Sequence, residues 1–365
     1  MSRRGAPGRA LARFWTAVII VLGGGAALLQ WLGPPPVSTP PTPRPAASAS
    51  SALAPPAPPP APPPAASPAR PNEPAPARAA TTIPAQPGGP IAPPDPLLLV
   101  ASPQDPKAML PRIGPDGATP MQVYARAFDT SDPRPRIGLI VAGIGESADE
   151  SEAAIDLPGA VTLAFSPYSV DPGQLLAEAR SKGHEILISL PLEPAGYPLN
   201  NAGDEALLVT APEGQNLTRL DWALSRIEGY VGATGAMDGM YGERFAASPV
   251  LLATLERRLA ARGLLYVDPR VGQPDPAWVT GRTADVIVDE PAVGPTIDAN
   301  LDKLETIARA HGSALGVVGW PGPTTVEMVA DWAGTLAAKG LVLAPVTALV
   351  KRPPAPSPET NAGKP

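Results

Sequence analysis

Between residues 134 and 350 the chain alternates short apolar runs with longer stretches that place apolar residues every three or four positions. Ile137–Ala142 and Val161–Phe165 are unbroken apolar runs of strand length, as suits strands buried on both faces. Asp171–Lys182 predicts a helix stopped by Gly183, and Glu185–Leu190 a strand. Asn216 reads as an N-cap, with Leu217, Leu220, Leu224 and Ile227 on one helical face. Ser248 and Pro249 form an N-cap and N1 pair, and Gly263 a stop, before a strand Leu264–Val267. A strand Asp285–Val288 is followed by a helix from Asp298 to His311-Gly312, a strand Ala314–Val318 and a helix Thr324–Lys339 stopped at Gly340. Leu341–Ala344 is the closing strand. Repeated strand–helix units imply parallel pairing with right-handed crossovers. Seven or eight such units predict an α/β fold with a distorted or incomplete parallel barrel.

The rest of the chain reads differently. Arg3, Arg4, Arg9 and Arg13 make residues 1–13 a basic tail, and the uncharged run Phe14–Leu32 that follows is long enough to span a bilayer. Trp15 and Trp31 sit near its ends, where indole rings favour the interface, and the arginines predict a cytoplasmic N-terminus. A cleaved signal peptide is the rival reading. The protein is thus expected to be a single-pass, membrane-anchored one with its folded part on the extracytoplasmic, periplasmic side. Residues 33–133 are a Pro/Ala-rich linker and lead-in, with runs such as Pro58-Pro59-Pro60 that favour polyproline II. Much of the 54-residue proline content lies here, and such a segment buries too little apolar surface to offset its ordering entropy. Residues 351–365 are expected to be a disordered tail.

A net charge of -6 with few basic clusters argues against nucleic acid as a partner. With no cysteine, disulfides, thiolate zinc sites and cysteine nucleophiles are excluded, and the two histidines, His184 and His311, exclude a histidine-rich metal site. Each precedes a strand, whereas active groups in such barrels gather where strands end. The acids that follow strands are Glu146, Asp149, Glu193, Asp238, Glu243, Asp268, Asp289 and Glu290, with Arg244 and Trp320 expected nearby. Carboxylates alone suit hard cations or sugar hydroxyls rather than nitrogen-ligated zinc, and an acid pair suits glycoside hydrolysis. Ordinary solvated loop acids or partners for Arg244 are the plainer reading.

Several segments together resemble the divergent polysaccharide deacetylase family. They are Arg136–Val141, Val161–Tyr168, Gly183–Pro194, Arg244-Phe245, Gly263–Asp268 and Leu343–Leu349, collinear over 134–350. The resemblance implies a NodB-like distorted barrel and a link to cell-envelope carbohydrate. Members with a metal site resemble Asp-Asp after the first strand, where this chain has Ala142 and Gly143. A histidine is implied in the loop Ala236–Glu243, and a Gly-His-Pro-His-Pro-like segment where the chain reads Gly319-Trp320-Pro321-Gly322-Pro323. The degenerate metal positions are therefore Ala142, Gly143, Trp320 and Gly322, and no metal or other cofactor is expected. Arg244 and Asp268 are the expected rim pair, with Glu193, Asp238 and Trp320 as further ligand-binding candidates. Trp320 either stacks on a sugar ring or plugs the vacated site. The expected function is a non-catalytic, envelope-tethered relative that binds a cell-envelope glycan or an envelope protein. The alternatives are a hydrolase or deacetylase working through the carboxylate rim, and a purely structural envelope protein.

Overall fold

The structure is a computed structural model that describes residues 88–353. The expected anchor 14–32, its basic flank, most of the proline-rich stretch and nearly all of the C-terminal tail lie outside the described residues. Among those described, no helix is long and apolar enough to cross a membrane.

The elements begin with a small antiparallel hairpin, β1 (Leu99–Ala101) and β2 (Met109–Pro111), and a one-turn helix, α1 (Pro120–Val123). The strand–helix alternation follows as β3 (Arg136–Ile144), α2 (Ala148–Ile155), β4 (Thr162–Phe165), α3 (Gly173–Ser181) and β5 (Ile186–Ser189). After a long loop come α4 (Glu213–Leu224), β6 (Gly232–Thr234), α5 (Glu243–Ala246), α6 (Pro249–Ala261), β7 (Leu265–Asp268), β8 (Gly281–Thr283) and β9 (Val286–Ile287). The last elements are α7 (Gly294–His311), β10 (Ser313–Val318), α8 (Pro323–Thr335) and β11 (Val342–Leu343).

The main sheet runs in the order β8-β7-β6-β5-β4-β3-β10-β9, and its pairs are all parallel. β11 adds to the start of β3, pairing Val342 with Arg136 and Leu343 with Ile137. The two edges, β8 and β9, share no ladder. The chain itself crosses between them through Ala284 and Asp285, and Arg282 of β8 bridges the seam to Asp285 (2.8 Å) and to the Ser313 hydroxyl of β10 (2.8 Å). The barrel is thus incomplete, as the sequence predicts.

Side-chain alternation divides the core. Leu139, Val141, Leu163, Phe165, Ile186 and Ile188 pack outward against the helices. Ile140, Ala142, Ala164, Leu187, Val231, Leu265 and Val317 fill the inside, joined there by Leu98 and Tyr124 from the lead-in. The lead-in is bound at the end where strands begin: the Arg126 amide donates to Glu185, its guanidinium to the Gly183 carbonyl, and the Met121 amide to the Gly263 carbonyl. The lead-in is thus tied to the barrel by its backbone at Met121 and Arg126.

Some expectations need correction. Asn216 is not an N-cap. It lies inside α4, and its amide side chain exchanges two bonds with the backbone of Leu208 (3.0 and 2.8 Å), tying the long β5–α4 loop down. Asp298 does not open its helix, because Pro295 already fits the first turn, two residues after Val293 ends the extended segment. Strands β6 and β8 escape the pattern because their small residues, Gly232-Ala233-Thr234 and Gly281-Arg282-Thr283, carry little hydrophobic signal.

Candidate functional site

The strand ends that carry chemistry in such barrels here face the loops after β3, β4, β5 and β6. An open cleft of about 710 Å³ lies among them. Its walls are Gly145, Glu146 and Ala148 after β3, Tyr168, Val170 and Leu175 after β4, Asn201–Asp204 in the β5–α4 loop, and Met237, Asp238 and Met240 after β6.

The centre of the arrangement is the turn after β6. The Met237 and Met240 backbones bond each other in both directions (2.9 and 2.8 Å), which pinches Asp238-Gly239 into a tight tip. Asp238 takes φ 47°, the left-handed region that Asp tolerates better than most residues but still at a cost. The Gly239 amide donates to the Gly319 carbonyl at 3.3 Å, so the tip is seated on the end of β10. This places the Asp238 carboxyl beside Gly143, near the end of β3. A β-carbon added to Gly143 would lie 3.2 Å from Asp238 Oδ1 and 3.3 Å from Pro321 Cδ, and Gly143 itself has φ 78°. The space that a side chain at position 143 would need is therefore held by Asp238 and Pro321.

Asp238 is also hydrogen-bonded to Glu146, and its carboxyl is pushed up to about 7, chiefly by desolvation and then by Glu146 and Glu150. Two carboxyl groups in such contact share a proton rather than both ionise. The Ser166 hydroxyl, buried at the end of β4, donates to Glu146 Oε1 at 2.5 Å and fixes its direction. Tyr168 packs against the small cluster of Ala202, Ala206 and Met237 and leans on Trp222 with ring centroids 5.2 Å apart, and its hydroxyl accepts from the Glu205 amide at 3.2 Å.

The other expected site residues are distributed differently. Arg244 and Asp268 do not pair. Arg244 Nε contacts Glu193 Oε1 at 3.0 Å, while Asp268 takes the fork of Arg270, two residues away, at 2.6 Å. Glu193 is 1% exposed and also accepts from the Val209 amide at 2.5 Å; Asp268 is 3% exposed and accepts from the Arg270 amide. Both carboxylates hold loops in place rather than facing the cleft. Glu243 accepts from the Ala195 amide, Asp149 and Glu150 stand in the first turn of α2, and Asp289 receives the Gly319 and Trp320 amides, each at 2.8 Å. Burial pushes the Asp289 carboxyl up against the pull of those two donors.

The Trp320 ring is not a plug. It is 60% exposed, and its indole N–H lies 3.3 Å from both oxygens of Glu150. Gly322 opens α8, and no atom crowds the place of its missing side chain. His184 is buried at the start of β5 with its ring nitrogens 2.8 and 3.0 Å from the carbonyls of Val161 and Ile155; burial lowers its pKa. His311 ends α7. Among the described residues no group of three or more His, Cys, Asp or Glu side chains is placed to hold a metal ion. Sequence reasoning named Glu146 and Asp238 but not Tyr168, Asn201, Asp204, Met237 or Met240. Tyr168 closes the family-like segment Val161–Tyr168, and Met237 and Met240 lie in the loop Ala236–Glu243 where the resemblance implies a histidine; these are the signals that could have found them.

Comparison with known proteins agrees with this architecture. A family model described as divergent polysaccharide deacetylase matches residues 139–350. An uncharacterized protein of Haemophilus influenzae is 22% identical over 205 residues, covering 53% of this chain and 69% of that protein. The crystal structure of an uncharacterized protein from Agrobacterium tumefaciens C58 is 33% identical, with a TM-score of 0.61 over 67% of this chain and 100% of that one. A deacetylase solved with substrate is 13% identical with a TM-score of 0.40, covering 62% and 97% of the two chains. With the NodB-like barrel and a match across most of the described residues, the chain belongs to the divergent polysaccharide deacetylase family.

Proposed function

We propose that this protein binds cell-envelope glycan in the cleft beside β3–β6, without metal-dependent hydrolysis, and that its N-terminal segment tethers it outside the cytoplasmic membrane. One observation carries the reading: the Asp238 turn fills the space beside Gly143, where the family resemblance implies a metal-binding carboxylate, and an open cleft remains next to it. The donors at that spot do not fit zinc. They are oxygen only, Glu146 and Asp238 are hydrogen-bonded to each other, and Trp320 and Gly322 stand where the family resemblance implies imidazoles. Tyr168, Met237 and Met240 offer an apolar wall for the C–H face of a sugar ring, and Asn201 a paired donor and acceptor for hydroxyls.

Hydrolysis by the acid pair is the second reading, favoured by a carboxyl that titrates near neutrality. Its geometry is poor for glycosidic bonds. Carboxyls in hydrogen-bond contact are closer than the about 5 Å that even a retaining glycosidase needs between them.

The test uses the purified full-length chain with chitin-type and peptidoglycan-derived oligosaccharides. Binding should be measurable by calorimetry, should weaken in Tyr168→Ala and Asn201→Ala, and should not change with zinc or a chelator. Acetate release that depends on added zinc would overturn the reading.

A further inference from the structure

The charged side chains of the cleft are of one sign. Glu146, Asp204 and Asp238 line it, and no Lys, Arg or His does. Glu150 stands close enough to act on Asp238. The arginines of the neighbouring region do not balance these acids. Arg219 donates to the Ala206 carbonyl at 2.6 Å, and Arg226 donates to the Pro167 carbonyl at 3.1 Å while its guanidinium stands over the Trp222 ring. A walled cleft with charge of one sign concentrates its field and selects ligands of the other.

The apolar part of the lining is independent of that charge. Tyr168, Val170, Leu175, Met237 and Met240 supply it, and the tilted contact with Trp222 sets the Tyr168 ring in place. A neutral, fully N-acetylated glycan would use this wall but gain little from the acids. A glycan bearing carboxylates would be repelled by them. A glycan bearing ammonium groups is suited to both, since each ammonium carries three donors and the ring keeps an apolar face.

We propose that the cleft takes a de-N-acetylated, amine-bearing glycan, with an ammonium set against the Glu146–Asp238 pair and the sugar ring against Tyr168 and Met237. This rests on the glycan-binding reading above and narrows its ligand. The Ser166 hydroxyl on Glu146 and the pinched Met237–Met240 turn under Asp238 hold the two acids in position before any ligand arrives, which keeps the ordering cost of binding low.

Calorimetry on the full-length chain, comparing a glucosamine tetramer with the N-acetylglucosamine tetramer of the same linkage, tests it. The free-amine tetramer should bind more tightly by about tenfold or more, equivalent to about 1.4 kcal/mol. The preference should shrink as salt is raised. It should disappear in Glu146→Gln/Asp238→Asn, a near-isosteric pair whose melting temperature is recorded as a check on folding. Equal or tighter binding of the acetylated tetramer would overturn the amine proposal and leave the glycan reading standing. Failure of both tetramers to bind would overturn both. If a linear diamine matches the glucosamine tetramer, the site recognises ammonium without sugar, and the proposal is refuted in its sugar half.

Discussion

Gly143→Asp is the substitution that most directly probes the Asp238 turn. It installs a carboxylate where the family resemblance implies one, and the structure predicts that it harms the protein instead of restoring a metal site. Three effects add. Gly143 has φ 78°, and an L-residue forced left-handed costs about 1–2 kcal/mol. Its β-carbon would stand 3.2 Å from Asp238 Oδ1 and 3.3 Å from Pro321 Cδ, so the turn must shift. A new carboxylate would also face Asp238 and Glu146. At about 4 Å and an effective dielectric of 20 a like-charge pair costs about 4 kcal/mol, much of which protonation of one partner relieves. The expected loss is about 2–4 kcal/mol in urea unfolding, measured from the midpoint at unchanged slope. Gly143→Ala isolates the backbone and steric part at about 1–2 kcal/mol, and adding Asp238→Asn to Gly143→Asp should recover the electrostatic part. Zinc should not restore stability to any of them. Wild-type stability in Gly143→Asp, or one zinc ion bound tightly by it, would refute the claim that Asp238 and Pro321 hold this space.

Trp320→Ala should cost only about 1–2 kcal/mol in the same unfolding assay, because the ring is largely exposed; a loss of about 3–5 kcal/mol would mean a buried plug. Glu185 is fully buried and its carboxyl is pushed up to about 7, chiefly by desolvation, against donors from Arg126 and Thr347. Its folded pKa is raised above the unfolded value, so its contribution is fully present below about 4.5 and is lost as pH rises through 7. Glu185→Gln should therefore flatten the fall in stability between pH 5 and 8, by roughly 2–4 kcal/mol, and an unchanged pH profile would sink this assignment. A periplasmic reporter fused after Val350 should be active outside the cytoplasm, and activity of a cytoplasmic reporter from the same fusion would contradict the proposed tether.

The barrel was legible in the sequence because its longer strands are buried on both faces and therefore apolar without interruption, as in Ile137–Ala142 and Val161–Phe165. The three-residue strands β6 and β8, Gly-Ala-Thr and Gly-Arg-Thr, were not legible, since only their neighbours' backbones define them. Side-chain partners were the least legible. Asp268 lay in a family-like segment, and nothing in the sequence ranked Arg244 below Arg270 as its partner; the turn after Pro269 decided it. Asn216 looked like a cap because caps and loop anchors use the same short amide. Asp238 was recognisable as a rim acid, but its place beside Gly143 depends on a left-handed turn that no periodicity announces.

The seam between β8 and β9 bears on how the molecule deforms. A fully laddered ring transmits a tug on any strand all the way round, since every strand has two neighbours to pull. Here the circuit is broken at one place, which Ala284, Asp285 and the Arg282 bridge cross. Sheet order puts that break at the ends of the series, whereas β3, β4, β5 and β6, whose loops wall the cleft, are consecutive in its interior. Fewest ladder bonds therefore oppose a strain applied at the seam, whereas β3 to β6 are tied by consecutive parallel ladders that resist any change in the spacing of the cleft walls.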